Sequence, residues 1–384
     1  MDLGTIFRKH LASHVSGHSL PRFQWKAVNA VMKCRTEDLG GHLDRCDKCG
    51  YERLFYNSCR NRHCPQCGYL GKERWLEKRK SQLLPVTYFH SVFTLPDDLN
   101  PLMLVNQSVG YNLLFRSVTK TLLDLGRDPK HLGAEMGIIA MLHPWGQNLL
   151  DHPHLHCIMP GGGLSEDGKH WRYPKKKNTG EDFFVHVNVI SDLFKKKFLY
   201  YLKEAYKKGQ LQFPGRISHI KSEKAFNKFI DNLYKKKWVT YCKEPFHGGE
   251  GGLRYLGKYV YRTAITNSRI LDLKNGEVCF KWHDYRDGKD KMMQLDVSEF
   301  IRRFLMHVLP SGFCRIRYYG ILSSRNIKTK LARCMKLLNR KPSEVSDRLN
   351  WRELFFTLTG IDLHLCPKCN LGRMISMPLN HSPP

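Results

Sequence analysis

Residues 151–163 constrain this chain more than any other stretch. They read Asp-His-Pro-His-Leu-His-Cys-Ile-Met-Pro and end in three glycines. Apolar residues surround two imidazoles, so the run reads as a buried strand entering a glycine turn. On a strand, positions i and i+2 face the same side. His154 and His156 therefore share a face, while Leu155 points into the core. Two neutral imidazoles on one face can hold one divalent cation. Core histidines are commoner than ligands, so the pair needs support from neighbouring polar groups. Gln147 lies seven residues before His154. A hairpin turn there brings it back beside the pair as the expected third ligand. His143, Asp151 and His152 compete for that place.

Charge narrows the partner. Lys plus Arg total 63 against 35 Asp plus Glu, a net charge of +28. Such an excess on a folded chain implies a polyanion, most commonly nucleic acid. An anionic membrane surface is the rival. No apolar run reaches the roughly 18 residues of a spanning helix, and no signal peptide is recognisable. The expectation is a soluble, intracellular protein with no membrane partner.

Thirteen cysteines in a chain of that kind point to metal rather than to disulfides. Cys46-x-x-Cys49 and Cys64-x-x-Cys67, 14 residues apart, suit one tetrahedral zinc with two thiolates from each knuckle. Cys59, His63, Cys34 and His42 supply further donors for a second zinc. Cys366 and Cys369 form half a site, which either completes another zinc with His364 or a distant residue, or is a surface turn. Arg45, Lys48, Arg53, Arg60 and Arg62 around the knuckles suit contact with DNA phosphate.

With 384 residues, two or three domains of about 150 residues are expected. Helical spacing covers residues 5–33, with Pro21 as a break. Residues 34–70 are too polar to fold on an apolar core alone. A basic helix is expected over 72–84, a strand over 86–95 and a helix over 101–125. An apolar strand follows at 137–142, then a turn at Pro144-Trp-Gly and the histidine strand. Helices near 191–208 and from Ser222 come next. Asn275-Gly276 and Asp287-Gly288 mark hairpins, and Glu299 to Val308 reads as helix. The order predicts an α+β fold with an antiparallel sheet. The expected divisions are 1–85, helical and zinc-binding; 86–312, catalytic; and 313–384, a basic C-terminal extension.

Tyr255-Leu-Gly-Lys-Tyr259 sets two phenols one helical turn apart on one face. Such pairs usually pack a helix onto a sheet, and the chain has 17 tyrosines. Tyr261, on another face, illustrates that role. The functional reading needs a phenol beside a metal-bound phosphate. Lys258, with Arg254 or Arg262, would lower a phenol pKa or hold phosphate oxygens. The lysine runs 175–177, 195–197 and 235–237 are individually solvated faces. Together with Trp171, Tyr173 and Trp238 they could form a track for single-stranded DNA.

These motifs together resemble a family. His154-Leu-His156 with the tyrosine pair resembles the HUH nucleases, named for His-hydrophobe-His, that carry two tyrosines. The wider string is Ser58-Cys-Arg-Asn-Arg-His-Cys-Pro-Gln-Cys67, Phe93-Thr-Leu-Pro96, His152-Pro-His-Leu-His156, Tyr255-Leu-Gly-Lys-Tyr259, Asn267-Ser-Arg-Ile270 and Arg302-Arg-Phe-Leu-Met-His-Val-Leu-Pro310. It is similar to the rolling-circle transposases of the IS-ninety-one family of bacterial insertion sequences, over about residues 30 to 370. The resemblance implies an N-terminal zinc-binding domain and an HUH-type antiparallel sheet flanked by helices. It implies Mg²⁺ or Mn²⁺ on His154 and His156, structural Zn²⁺, and Tyr255 and Tyr259 as nucleophiles that become linked to a 5′-phosphate. It leaves the third ligand unmatched. The implied partner is DNA, as single-stranded transposon ends and target site, and the implied location is the bacterial cytoplasm at the nucleoid. Oligomeric state, a homo-oligomer included, stays open. A zinc-dependent DNA-binding protein without catalysis, and a plasmid replication initiator or relaxase, are the alternatives.

Overall fold

The computed structural model describes the chain apart from residues 18, 177–181, 247–254, 256, 258, 341–349 and 380–384. It opens with α1 (Leu3–Val15), where the Asp2 carboxylate accepts from the Thr5 N–H at 2.7 Å. Pro21 precedes α2 (Arg22–Lys33). It suits that place because its fixed φ and missing N–H cost nothing where a helix begins. A hairpin of β1 (Gly41–Cys46) and β2 (Glu52–Tyr56) follows, and then α3 (Gly68–Lys80).

The central sheet is built from β3 (Tyr88–Thr94), β4 (Gly137–Trp145), β5 (Asp151–Pro160) and two later strands. The helix α4 (Gln107–Arg127) separates β3 from β4. After β5 come α5 (Val187–Lys207), α6 (Glu223–Lys235) and β6 (Thr240–Phe246). A meander of β7 (Ile270–Lys274), β8 (Glu277–Asp284) and β9 (Lys289–Asp296) leads into α7 (Val297–Met306), and β10 (Ile316–Gly320) returns to the sheet. Its order is β6-β3-β5-β4-β10, antiparallel throughout. The expected α+β fold is what forms.

Strand parity divides the sheet into two working faces. Leu155, Cys157 and Met159 of β5 join Phe89, Phe93, Ile138, Ala140 and Leu142 in a core roofed by α4, α5 and α6. Each is apolar because that face never meets water. The alternate residues His154, His156 and Ile158 lie on the opposite face. Register places His90 of β3 opposite Ile158, and His143 of β4 opposite His154. The histidine strand thus lies at the centre of the sheet, with its imidazoles away from the large apolar core.

Three local expectations need correction. The strand expected to end at Leu142 continues to Trp145, because Pro144 falls at a register shift between His143 and Trp145. A proline is tolerated there because a bulge needs no ladder donor. The expected helix over 101–125 is interrupted at Asn106, whose side chain instead bonds the backbone of Gln212. The segment 313–384, expected as an extension, is divided between two sheets. β10 pairs with β4, whereas β11 (Met374–Pro378) pairs with β1 to make a three-stranded sheet β11-β1-β2. Helix α8 (Trp351–Thr359) lies against α3. The Asn275-Gly276 hairpin forms as expected, with φ of 51° and 77° at its two turn residues. Among the described residues no helix is long and apolar enough to cross a membrane.

Candidate active site

Adjacent strands build a cluster of three imidazoles. The nitrogens offered by His143, His154 and His156 all lie within 4.8 Å of one another. β5 supplies two because they stand at i and i+2. β4 supplies the third because His143 is the register partner of His154. Each ring is oriented by a bond from its other nitrogen. His154 Nδ1 lies 2.7 Å from the His152 carbonyl, and His143 Nε2 lies 2.7 Å from the Tyr259 carbonyl. A carbonyl can only accept, so both of those nitrogens carry the proton and the opposite nitrogens keep lone pairs. His156 Nδ1 sits 2.9 Å from His90 Nε2.

Tyr255, Gly257, Tyr259 and Val260 are helical and cover this cluster. The Tyr259 ring lies over His156 at 4.3 Å between centroids, and the two tyrosine rings are 5.3 Å apart. Tyr255 Oη is 2.6 Å from His90 Nδ1, and the Tyr259 hydroxyl donates to Tyr255 Oη at 3.4 Å. His90 thus bridges the imidazole cluster and the first phenol. Burial, then the Tyr259 hydroxyl beside it, pushes the Tyr255 phenol above its ordinary range. Two contacts fix the helix. A Cβ on Gly257 would meet the Leu76 side chain of α3 at 3.0 Å, so the helix and α3 approach closely here. Arg315 donates to the Arg262 and Val260 carbonyls, both at 2.9 Å.

The imidazoles are held neutral. Burial first, then the neighbouring His152, pushes His154 down to about 3. Burial also takes His143 and His156 well below 6.5, His63 to about 3 and His307 to about 4. In the unfolded chain each would protonate near 6.5. The unfolded state therefore binds more protons below that pH, and stability falls from about 6.5 downward at about 1.4 kcal/mol per pH unit for each such group. Asp151, pushed up to about 8 by burial and then by Asp97, offsets one of them over part of this window. Metal-free protein is expected to lose thermal stability steeply between pH 6.5 and about 4. A melting temperature flat across that window would refute the buried-neutral assignment.

Several expected site residues lie elsewhere. Gln147 is in the turn beyond the strand end, where its side-chain amide donates to Tyr285 Oη at 3.2 Å and its backbone carbonyl accepts from Arg269. The turn between β4 and β5 closes early, with the Gly146 N–H on the Leu150 carbonyl, so register sets His143 and not Gln147 beside His154. Lys258 and Arg254 fall outside the described residues. Trp171 and Trp238 are buried, Trp238 against Phe194 and Phe198, which leaves only Tyr173 of the three aromatics of the expected track open for base stacking.

The cysteines also sort differently from their spacing. Cys46, Cys49, Cys64 and Cys67 do not surround one point. Cys64 and Cys67 join Cys34 and Cys59, whereas Cys46 and Cys49 join Cys366 and Cys369. The first knuckle forms the turn of hairpin β1–β2, and β2 carries the chain away from it before the second begins. His63 and His42 belong to neither group. His63 Nε2 accepts from the Leu309 N–H at 3.4 Å, and His42 stacks on Phe55. His90 and Arg315 were not foreseen. His90 alternates correctly in its strand, but only register reveals its neighbour.

Two family models match this chain. Residues 137–330 match one described as “Putative transposase”, and residues 6–95 match “Transposase zinc-binding domain”. The first span contains the three clustered histidines, both tyrosines and Arg315. The second contains His90 and the cysteines from 34 to 67, and it stops short of Cys366. The chain is 45% identical over 383 residues to “Putative transposase y4qJ” of Sinorhizobium fredii (strain NBRC 101917 / NGR234), across 98% of this chain and 95% of that protein. It is 25% identical over 357 residues to “Transposase for insertion sequence element IS801” of Pseudomonas savastanoi pv. phaseolicola, across 91% and 82%. The zinc-binding match and the two cysteine groups together support structural zinc.

Proposed function

This chain belongs to the IS-ninety-one family of transposases, and from that premise we propose that it cuts and rejoins single-stranded DNA at transposon ends through a covalent bond to tyrosine. The observation that carries the reading is the chain of contacts from His156 through His90 to Tyr255, with Tyr259 packed on the same imidazole.

His143, His154 and His156 would hold a divalent ion, which supplies positive charge to the scissile phosphate and its leaving oxygen. Three imidazoles without a carboxylate are a softer donor set than Mg²⁺ prefers, so Mn²⁺ fits these residues better. When the His156 Nδ1–H donates to His90 Nε2, at 2.9 Å, Nε2 of His156 keeps the lone pair that would hold the ion. His90 then carries its proton on Nδ1 and donates to Tyr255 Oη. A donor at that oxygen favours phenolate and offsets the burial that opposes it. In the first step the phenol gives its proton to solvent, Oη bonds to phosphorus, the bond from phosphorus to the 3′ oxygen breaks, and that oxygen takes a proton from solvent. The DNA leaves with a free 3′-OH and the 5′-phosphate stays on tyrosine. In rejoining, a 3′-OH attacks that phosphorus and tyrosine departs, so no phosphodiester energy is lost to hydrolysis. Two phenols at one site allow two such transfers in succession.

The test is the full chain with Mn²⁺ or Mg²⁺ and labelled single-stranded oligonucleotides from the ends of its own element. The expected product is a metal-dependent protein–DNA adduct that survives a denaturing gel, with peptide mapping placing the nucleotide on Tyr255 or Tyr259. Folded, DNA-binding protein that forms no adduct would overturn the reading in favour of binding without catalysis.

A further inference from the structure

Cys46 and Cys49 sit near the start of the chain, and Cys366 and Cys369 near its end. Their sulfurs nevertheless form one cluster within 4.8 Å, with Cys46 and Cys369 at 3.7 Å and Cys49 and Cys366 at 3.6 Å. Four thiolates at about 2.3 Å around tetrahedral zinc stand about 3.8 Å apart. The spacing therefore suits a shared ion.

Both halves have the same local form. In the first, the Gly50 N–H bonds the Cys46 carbonyl at 3.2 Å and Gly50 has φ of 67°. In the second, the Asn370 N–H bonds the Cys366 carbonyl at 2.9 Å and Asn370 has φ of 53°. Glycine and asparagine are the residues that tolerate this left-handed conformation best. Backbone N–H groups point at the sulfurs: Cys49 N to Cys46 Sγ at 3.5 Å, Lys368 N to Cys366 Sγ at 3.4 Å, and Gly372 N to Cys369 Sγ at 3.4 Å. Such donors stabilise thiolate charge and orient ligands from outside the coordination shell. A Cβ on Gly372 would lie 2.3 Å from Cys46 Sγ, so the second knuckle closes on the first only with glycine there.

Apolar burial cannot hold this junction. Its core is Cys46, Cys366 and Met374, with Tyr51 and Cys369 packed beside them. That is far below what a metal-free module needs. We propose that Cys46, Cys49, Cys366 and Cys369 bind a second structural zinc, distinct from one on Cys34, Cys59, Cys64 and Cys67, and that this ion fastens the C-terminal segment to the N-terminal hairpin. The ion makes β11 the third strand of the β11-β1-β2 sheet. It ties together cysteines 317 and 323 residues apart in sequence, so it closes a very long loop. Because binding energy at such a site is folding energy, loss of the ion releases β11.

Zinc per chain, read by elemental mass spectrometry on the full-length protein, tests this. The Cys366→Ser/Cys369→Ser variant is expected to hold about one zinc fewer than the wild type, with the remaining zinc retained. Equal zinc in the two proteins would overturn the proposal. A measurement on the unaltered chain guards against misfolding of the variant. Alkylation mapped by mass spectrometry should find Cys49, which is exposed, protected at first. As a chelator withdraws zinc, Cys46, Cys49, Cys366 and Cys369 should become reactive together. Cys366 and Cys369 reacting freely before any zinc leaves, while Cys46 and Cys49 stay protected, would also overturn it.

Discussion

Replacing both Tyr255 and Tyr259 with phenylalanine is expected to abolish the covalent protein–DNA adduct, a loss of at least about 10⁴-fold, while DNA binding and zinc content persist. The substitution removes two oxygens and leaves two rings in place. The rings pack with the group around Leu76 and Ile158, so the helix should keep its position. The lost bond between Tyr255 Oη and His90 costs about 1 kcal/mol of stability, too little to unfold a chain with cores of this size. The single variants should differ. Tyr255 is the phenol that His90 reaches, so Tyr255→Phe is expected to slow the first cleavage more than Tyr259→Phe does. Tyr259→Phe should still form an adduct yet fail to complete two coupled transfers. Adduct surviving in the double variant would remove tyrosine from the chemistry and end the proposed mechanism.

The second large effect concerns the histidines. His156→Gln and His143→Gln are each expected to weaken Mn²⁺ binding by about 100-fold or more and to lower metal-dependent cleavage by about 10³-fold. Gln147→Ala should leave Mn²⁺ affinity within about 2-fold, because its amide is engaged with Tyr285 beyond the strand end. Glutamine is preferred to alanine at the histidine positions because it limits the cavity left in a buried site. Mn²⁺ titration followed by electron paramagnetic resonance measures affinity apart from catalysis. His143→Gln with unchanged affinity, together with a weakened Gln147→Ala, would reverse the ligand assignment.

Much of this site is legible in the sequence. A period of two placed His154 and His156 on one face and Leu155 on the other, because pleating leaves a strand no alternative. A period near four placed Tyr255 and Tyr259 together on a helix for the same kind of reason. Both inferences concern residues close in sequence, where backbone geometry fixes side-chain direction. The two knuckle halves were legible too, since Cys-x-x-Cys spacing is a local property. Zinc-binding character and DNA as partner followed from composition and motif order, and the matches to transposase families agree.

The places where the structure departs from the sequence expectations share one cause. Gln147 would lie beside His154 only in a longer hairpin, and the turn that closes at Gly146 and Leu150 leaves it beyond the strand end. The knuckles at 46 and 64 were paired because they are neighbours in sequence, yet each closes on a different partner. His90 carries no local signal, because its neighbours depend on which β5 residue lies beside it. Sequence by itself determined the elements, their faces and the kinds of donor they carry, since those depend on repeat geometry and side-chain chemistry. Only the tertiary structure decided which donors meet. Strand register and the return of residues 366–378 to the N-terminal hairpin join positions more than 300 residues apart, and no local periodicity encodes that pairing.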